Sequence, residues 1–224
     1  MDWLAGAMPI VAGVLGLAWG SFVGVLASRG ASEEPIARGR SRCDACGATI
    51  AARDLVPIVS WLLLRGRCRA CGSRIPATLP AFEVATAGLF AVAATVAPDG
   101  WAAALVAPFL GILLGLTAID LEHRRLPNRI VYPTSLACAA WIVVARAAGG
   151  ALDPVGAGIG AVAFGGGLLA VTLASRGGMG LGDVKLAALI GLVVGAVDLP
   201  SVAVAAGAAV LLGGAVAAVA LLRG

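Results

Sequence analysis

Long apolar runs alternate with short polar breaks along almost the whole chain. Stretches dominated by Ala, Val, Leu, Ile and Gly occupy residues 3–28, 78–97, 101–119, 130–148, 155–174, 184–197 and 201–222. Crossing a bilayer as a helix takes roughly 20 apolar residues, so the pattern predicts seven membrane-spanning helices. The sixth run is short and needs either a tilt or a start before residue 184. Turn-forming separators stand between the runs: Pro98-Asp99-Gly100, Gly149-Gly150-Ala151-Leu152-Asp153-Pro154 and Asp198-Leu199-Pro200. The first run lacks a basic leader ahead of it and is longer than a secretory signal, so it reads as a retained span.

One segment breaks the pattern. Residues 29–77 are polar, basic and cysteine-bearing. The expected organisation is a first span over 1–28, a cytoplasmic metal-binding loop over 29–77, and a membrane domain over 78–224.

Composition supports this reading. Hydrophobic residues make up 60% of the 224 and charged residues only 12%, with a mean hydropathy of +1.00. A soluble domain carries about a quarter charged residues, so a soluble enzyme, a disordered tail and a secreted disulfide scaffold are excluded. The fold class is an all-α polytopic membrane protein. The 32 glycines suit close helix packing in lipid, where small residues let backbones approach.

The net charge of +4 is unevenly spread. Nine of the sixteen basic residues lie from Arg29 to Arg74, and Arg124, Arg125 and Arg129 form a second cluster. With seven spans, nearly all bases fall on one side, Arg146 excepted. Asp2, Asp99, Asp153 and Asp198 fall on the other. Under the positive-inside rule the basic side is cytoplasmic. Bases that flank membrane-length runs do not form a nucleic-acid surface, so no nucleic-acid partner is expected. The partner implied is the lipid bilayer.

Two CxxC pairs, Cys43-Asp44-Ala45-Cys46 and Cys68-Arg69-Ala70-Cys71, have the spacing of a four-thiolate zinc site. Each is followed by a glycine, Gly47 or Gly72, that tolerates a left-handed turn. Four thiolates leave no open position, so Zn2+ bound there is structural. A redox dithiol is the competing reading. Cys138, alone in a span, reads as a small buried apolar residue.

Two aspartates stand at the ends of apolar runs: Asp120, and Asp183 in Gly180-Leu181-Gly182-Asp183-Val184-Lys185. Two predicted spans separate them, so both are expected on one face. Paired carboxylates share a proton, one acting as base and one as acid. That is aspartyl-peptidase chemistry. The glycines before Asp183 read either as a tight turn open to a substrate backbone or as a flexible connector. His123 reads as a hydrated residue or a general base, Glu122 as a solvated or supporting carboxylate. Lys185 reads as a side chain reaching the headgroups or holding Asp183.

The constellation resembles the type IV prepilin leader peptidase family of membrane aspartyl peptidases. The resemblance rests on Gly20-Ser21-Phe22, the two CxxC pairs, Pro57-Ile58-Val59-Ser60-Trp61, Leu64-Arg65-Gly66-Arg67-Cys68-Arg69, Pro80 with Glu83, Asp120 with Leu126-Pro127-Asn128, and Gly180 to Leu186. It implies a peptidase domain over 78–224 with Asp120 and Asp183 as the catalytic pair. It also implies a zinc loop held by Cys43, Cys46, Cys68 and Cys71, and prepilins or pilin-like secretion subunits as substrates. The site would face the cytoplasm from the bacterial inner membrane. Many members with the cysteine loop also methylate the new N-terminal amine with S-adenosylmethionine. The chain departs from the family pattern at Gly24, Ala52, Arg53, Leu55, Thr78 and Leu79. These positions bear on methyl transfer, which stays open at this point, and leave the aspartates intact. The competing function is a transporter or ion pathway using Asp120 and Asp183, and a third is a membrane-anchored zinc or redox module.

Overall fold

The computed structural model describes residues 2–30, 41–174 and 180–223, with side chains for 7–30, 41–174 and 180–213. Glu33, Glu34, Gly177, Gly178 and Met179 lie outside the described residues. The described chain is all-α: α1 (Asp2–Gly30), a 3-10 turn (Ala52–Leu55), α2 (Val59–Leu63), α3 (Thr78–Val96), α4 (Gly100–His123), α5 (Asn128–Ala147), α6 (Pro154–Ala174), α7 (Leu181–Val197) and α8 (Ser201–Arg223). Seven long helices therefore stand where seven spans were expected.

Five of them are long and apolar enough to cross a membrane by length and composition: Ala7–Gly30 of α1, and α3, α4, α5 and α6. At 17 residues, α7 is about 25 Å long, a little short of the roughly 30 Å hydrocarbon core. It begins at Leu181, before the expected 184, which places Asp183 inside its first turn. Likewise α4 runs on to His123, so Asp120 sits about one turn from the helix end.

Three of the four acids expected on the non-basic side, Asp99, Asp153 and Asp198, have a local task. Asp99 accepts the Ala102 N–H at 2.7 Å. Asp153 accepts from Val155 and Gly156, both at 3.0 Å, and Asp198 accepts from Ser201 at 3.1 Å. Each carboxylate caps the helix that follows it, satisfying N–H groups that have no partner within the helix.

The chain divides into two compact units, Met1–Arg125 and Leu126–Gly224. In the first, α1 packs along α3 through small residues four apart. A Cβ on Gly16 would meet the Thr86 carbonyl at 2.6 Å, and Gly20 lies against Phe82 and Glu83. The Thr86 hydroxyl lies 2.7 Å from the Gly16 carbonyl, linking the helices where the backbones are closest. Trp19 donates its indole N–H to the Pro108 carbonyl of α4 at 3.1 Å and covers Gly111. Val23 and Leu26 seat on Gly115.

In the second unit, α6 and α7 meet through facing glycines: Gly156 on Gly195, Gly160 on Gly191, and Gly165 on Ala188. A methyl group at either Gly160 or Gly191 would collide with the opposite backbone. Next to this seam, Phe164, Ala187 and Val202 join α6, α7 and α8 in a buried cluster. Without a hydrophobic drive between helices in lipid, such close contact is a main source of cohesion.

Candidate functional site

The cysteine loop is built from two copies of one turn, 25 positions apart. In the first, Gly47 N–H donates to the Cys43 carbonyl at 2.8 Å and Cys43 N–H to Ala48 at 2.9 Å. In the second, Gly72 donates to Cys68 at 2.9 Å and Cys68 to Ser73 at 2.8 Å. Antiparallel bridges Arg42–Thr49 and Arg67–Arg74 close both. Gly47 and Gly72 have φ of 70° and 71°, the left-handed conformation their position after each CxxC led us to expect. A third such glycine, Gly66 at φ 65°, lies under the Trp61 ring, whose N–H donates to the Ile75 carbonyl at 3.3 Å.

The two turns bring four sulfurs together. The Sγ atoms of Cys43, Cys46, Cys68 and Cys71 all lie within 4.8 Å of one another, and Cys43 and Cys71 are 3.8 Å apart. A tetrahedron with Zn–S near 2.3 Å has sulfurs about 3.8 Å apart. The donor set and spacing fit a four-coordinate metal with no open position. Ser73, which sequence reading passed over, places its hydroxyl 3.4 Å from Cys43 and 3.1 Å from Cys71. That hydroxyl, followed by the Cys46 and Ala45 N–H groups, draws the Cys43 thiol down to about 6. Ser73 lowers Cys71 in the same way. Cys46 goes up to about 11: the Ala48 N–H favours its thiolate, but sharing with Cys71, burial and Cys43 outweigh it. Without a cation, four crowded sulfurs cannot all be charged; with one, protons leave as metal enters.

A bidentate ion pair ties the loop together. The Arg69 guanidinium donates to Asp54 at 2.7 Å and 2.9 Å, holding the Asp54 carboxyl below its ordinary value. The Ser60 hydroxyl donates to the Arg53 carbonyl at 2.9 Å.

The loop is pinned to the helices by Glu83. This carboxylate, buried in α3, accepts the Ile58 N–H at 2.6 Å and a hydrogen bond from Ser21 of α1. Ile58 itself has φ 60° and ψ −51°, and Val59 N–H reaches the Pro57 carbonyl at 2.5 Å. That is a γ-turn in its rare positive-φ form, strained for a β-branched residue. Three segments that carry the family resemblance, Gly20-Ser21-Phe22, Pro57-Ile58-Val59 and Pro80 with Glu83, thus meet at one carboxylate.

Asp120 is exposed on the last turns of α4, and its carbonyl accepts the Arg124 N–H at 2.7 Å. Arg124 adopts φ 51°, ψ 42°, and ends the helix. His123 and Glu122 are exposed beside it, 3.9 Å apart. Asp183 is exposed in the first turn of α7; its N–H donates to the Gly180 carbonyl at 3.2 Å, and its Oδ2 lies 3.8 Å from where a Gly180 Cβ would be. Gly180 is extended and Gly182 helical, so neither takes a conformation reserved for glycine. Leu126 lies against Gly182, and Lys185 reaches back to α5, donating to Asn128 Oδ1 at 2.9 Å with its ammonium 5.2 Å from the Tyr132 ring centre. Cys138 is buried in α5, as expected of a small apolar residue.

Among the described residues, helices throughout, five of them of membrane-crossing length, and a four-sulfur metal cradle define the class as a polytopic membrane protein. Comparison with known proteins makes that specific. Residues 14–97 match the bacterial peptidase A24 N-terminal domain, and residues 105–218 match the type IV leader peptidase family. The chain belongs to the type IV leader peptidase family. It is 35% identical, over 89% of its length and 82% of the relative's, to the type 4 prepilin-like proteins leader peptide-processing enzyme of Escherichia coli O78:H11. It is 34% identical to the prepilin leader peptidase/N-methyltransferase of Bacillus subtilis, over 81% of this chain and 72% of that one. The protein of the same name from Myxococcus xanthus is 40% identical over 55% of this chain and 37% of its own. No solved structure matches the chain.

Proposed function

We propose that this chain is the membrane peptidase that removes the leader from type IV prepilins or pilin-like secretion subunits, with Asp120 and Asp183 as its two working carboxylates. The observation that carries the proposal is that both acids fall inside the 105–218 family match, and both stand exposed at helix ends rather than mid-helix. A helix end at the membrane surface has the water that hydrolysis consumes; a mid-span acid, which ion transport favours, does not.

The chemistry follows from two carboxyls with one proton between them. The ionised member takes a proton from water as its oxygen attacks the scissile carbonyl carbon. The protonated member gives its proton to the carbonyl oxygen. The resulting diol collapses: one of its hydroxyls returns a proton to the now ionised carboxylate, the C–N bond breaks, and the now protonated carboxyl gives its proton to the departing amine, which leaves one proton on the pair again. The pair needs no metal for this.

A prepilin presents a charged leader followed by an apolar helix. The helix lies in the bilayer beside the enzyme and leaves the bond to be cut at the boundary. The basic loops favour a boundary on the cytoplasmic face of the bacterial inner membrane, by the positive-inside rule. In the loop, Cys43, Cys46, Cys68 and Cys71 hold Zn2+ as a structural staple.

Methyl transfer from S-adenosylmethionine to the new N-terminal amine is a second, separable activity. The relatives from Bacillus subtilis and Myxococcus xanthus, whose names include N-methyltransferase, favour it.

One incubation tests both. The full-length protein in detergent or vesicles is given a model prepilin and labelled S-adenosylmethionine, and leader loss and label transfer are scored. Asp120→Asn and Asp183→Asn each abolish cleavage while the protein stays in the membrane. Full processing by either variant overturns the assignment.

A further inference from the structure

We infer that Lys185, Asn128 and Tyr132 form a clamp that positions the Asp183 carboxyl. The inference rests on the peptidase reading above and adds residues to it.

Lys185 follows Asp183 by two positions in the first turn of α7, so the two side chains leave the helix roughly 200° apart. Residues two apart do not face each other, so the lysine acts through the backbone they share. Its ammonium does not extend outward. It turns to α5, where it donates to Asn128 Oδ1 at 2.9 Å and stands 5.2 Å from the Tyr132 ring centre. An ammonium has only donors, so the amide oxygen of Asn128 must face it. Asn128 and Tyr132 are four apart on α5 and share a face. On the same side Leu126 rests against Gly182. The α5 start therefore holds the α7 start at two points, one apolar and one charged, on either side of Asp183 in sequence.

The arrangement gives Leu126-Pro127-Asn128 a task. By sequence it stands closest to Asp120. In space, its Leu and Asn contact the turn that carries Asp183. Pro127 fixes the entry to α5, with its carbonyl accepting from Ile130 at 2.9 Å. The clamp sets the rotation and height of the first α7 turn, where the helix is otherwise free to fray. Misplacing a reacting group by about 1 Å can cost on the order of a hundredfold in rate.

Steady-state cleavage of a model prepilin by the full-length enzyme in lipid vesicles tests this, with kcat and KM separated. Lys185→Met and Asn128→Leu each lower kcat by roughly tenfold to a hundredfold, with KM little changed. The double variant is no worse than the poorer single one, because the pair acts as a unit. Asn128→Asp keeps an acceptor and retains near-normal kcat. Asn128 is exposed at the helix start, so its variants carry the test even where Lys185→Met does not fold. The clamp is refuted by wild-type kcat in Asn128→Leu, by losses that multiply in the double variant, or by a change confined to KM, as expected of a lysine that only meets headgroups. Failure of the peptidase reading looks different: the wild type leaves the prepilin intact, or Asp183→Asn still cuts it.

Discussion

The Glu83 carboxylate accepts the N–H of Ile58 at 2.6 Å, across 25 residues of chain and from a buried position on α3. The pair explains why a β-branched residue persists at φ 60°. Strain of about 1–3 kcal/mol survives only where the surroundings impose it. Glu83→Gln keeps an acceptor and is expected to be mild. Glu83→Ala leaves the Ile58 N–H unpartnered and is expected to cost about 1–3 kcal/mol. Thermal unfolding in detergent and protease sensitivity of residues 41–75 check the order. Equal effects of the two substitutions would show that the carboxylate does not hold the loop.

Glycine serves two purposes within one helix. Gly160 has the Gly191 backbone where a side chain would go, while Gly158 faces open space. Gly160→Ala is expected to destabilise by about 1–3 kcal/mol through overpacking. Gly158→Ala is expected to be neutral or stabilising by up to about 1 kcal/mol. Melting curves of the two variants in the same detergent give the comparison. A stable Gly160→Ala protein would mean that α6 and α7 are not pressed together there.

Much of this was legible in the sequence, because the strongest signals are periodic or paired. Seven apolar runs gave seven long helices, and the CxxC spacing with its trailing glycines gave both metal turns. The Asp183 string fell on a helix start. What stayed hidden depends on contacts distant in sequence. Pro57-Ile58-Val59 carries the family resemblance in sequence, but its γ-turn and the Glu83 carboxylate that accepts the Ile58 N–H are seen only in the structure. Asp99, Asp153 and Asp198 read as a charge signal for the outer face, yet each caps a helix. One residue meets both demands, so the topology signal and the capping signal cannot be separated by composition. Lys185 reads either as a headgroup anchor or as a support for Asp183, and its turn towards Asn128 depends on how α5 packs on α7.

The Asp54–Arg69 pair predicts a pH dependence with a definite sign. Arg69 depresses the Asp54 carboxyl in the folded loop. A depressed carboxyl stabilises the fold above its unfolded value, near 3.9 for an aspartate, and that contribution is lost as pH falls through the folded value. Asp54→Asn should therefore raise the rate of proteolysis in the 41–75 loop at neutral pH. The difference from wild type should shrink only below about pH 4. A gap that is the same at pH 3 and pH 7 would assign the effect to packing instead of charge.

Metal removal should separate the loop from the peptidase. The four sulfurs hold two short turns that have little core of their own beyond Trp61 over Gly66. By contrast, α4 is held by α1 through Trp19 and Pro108, and α7 by α6 through facing glycines. Purified protein is expected to carry one zinc per chain by elemental analysis. A strong chelator, or Cys46→Ser, should release it and expose residues 41–75 to protease. Leader cleavage should survive, since neither helix bearing an aspartate depends on the loop for its packing. Methyl transfer should fall with the metal, because Ser21, Ile58 and Glu83 join the loop to α1 and α3, the helices of the 14–97 match. Cleavage lost in step with zinc would place the loop in the peptidase itself.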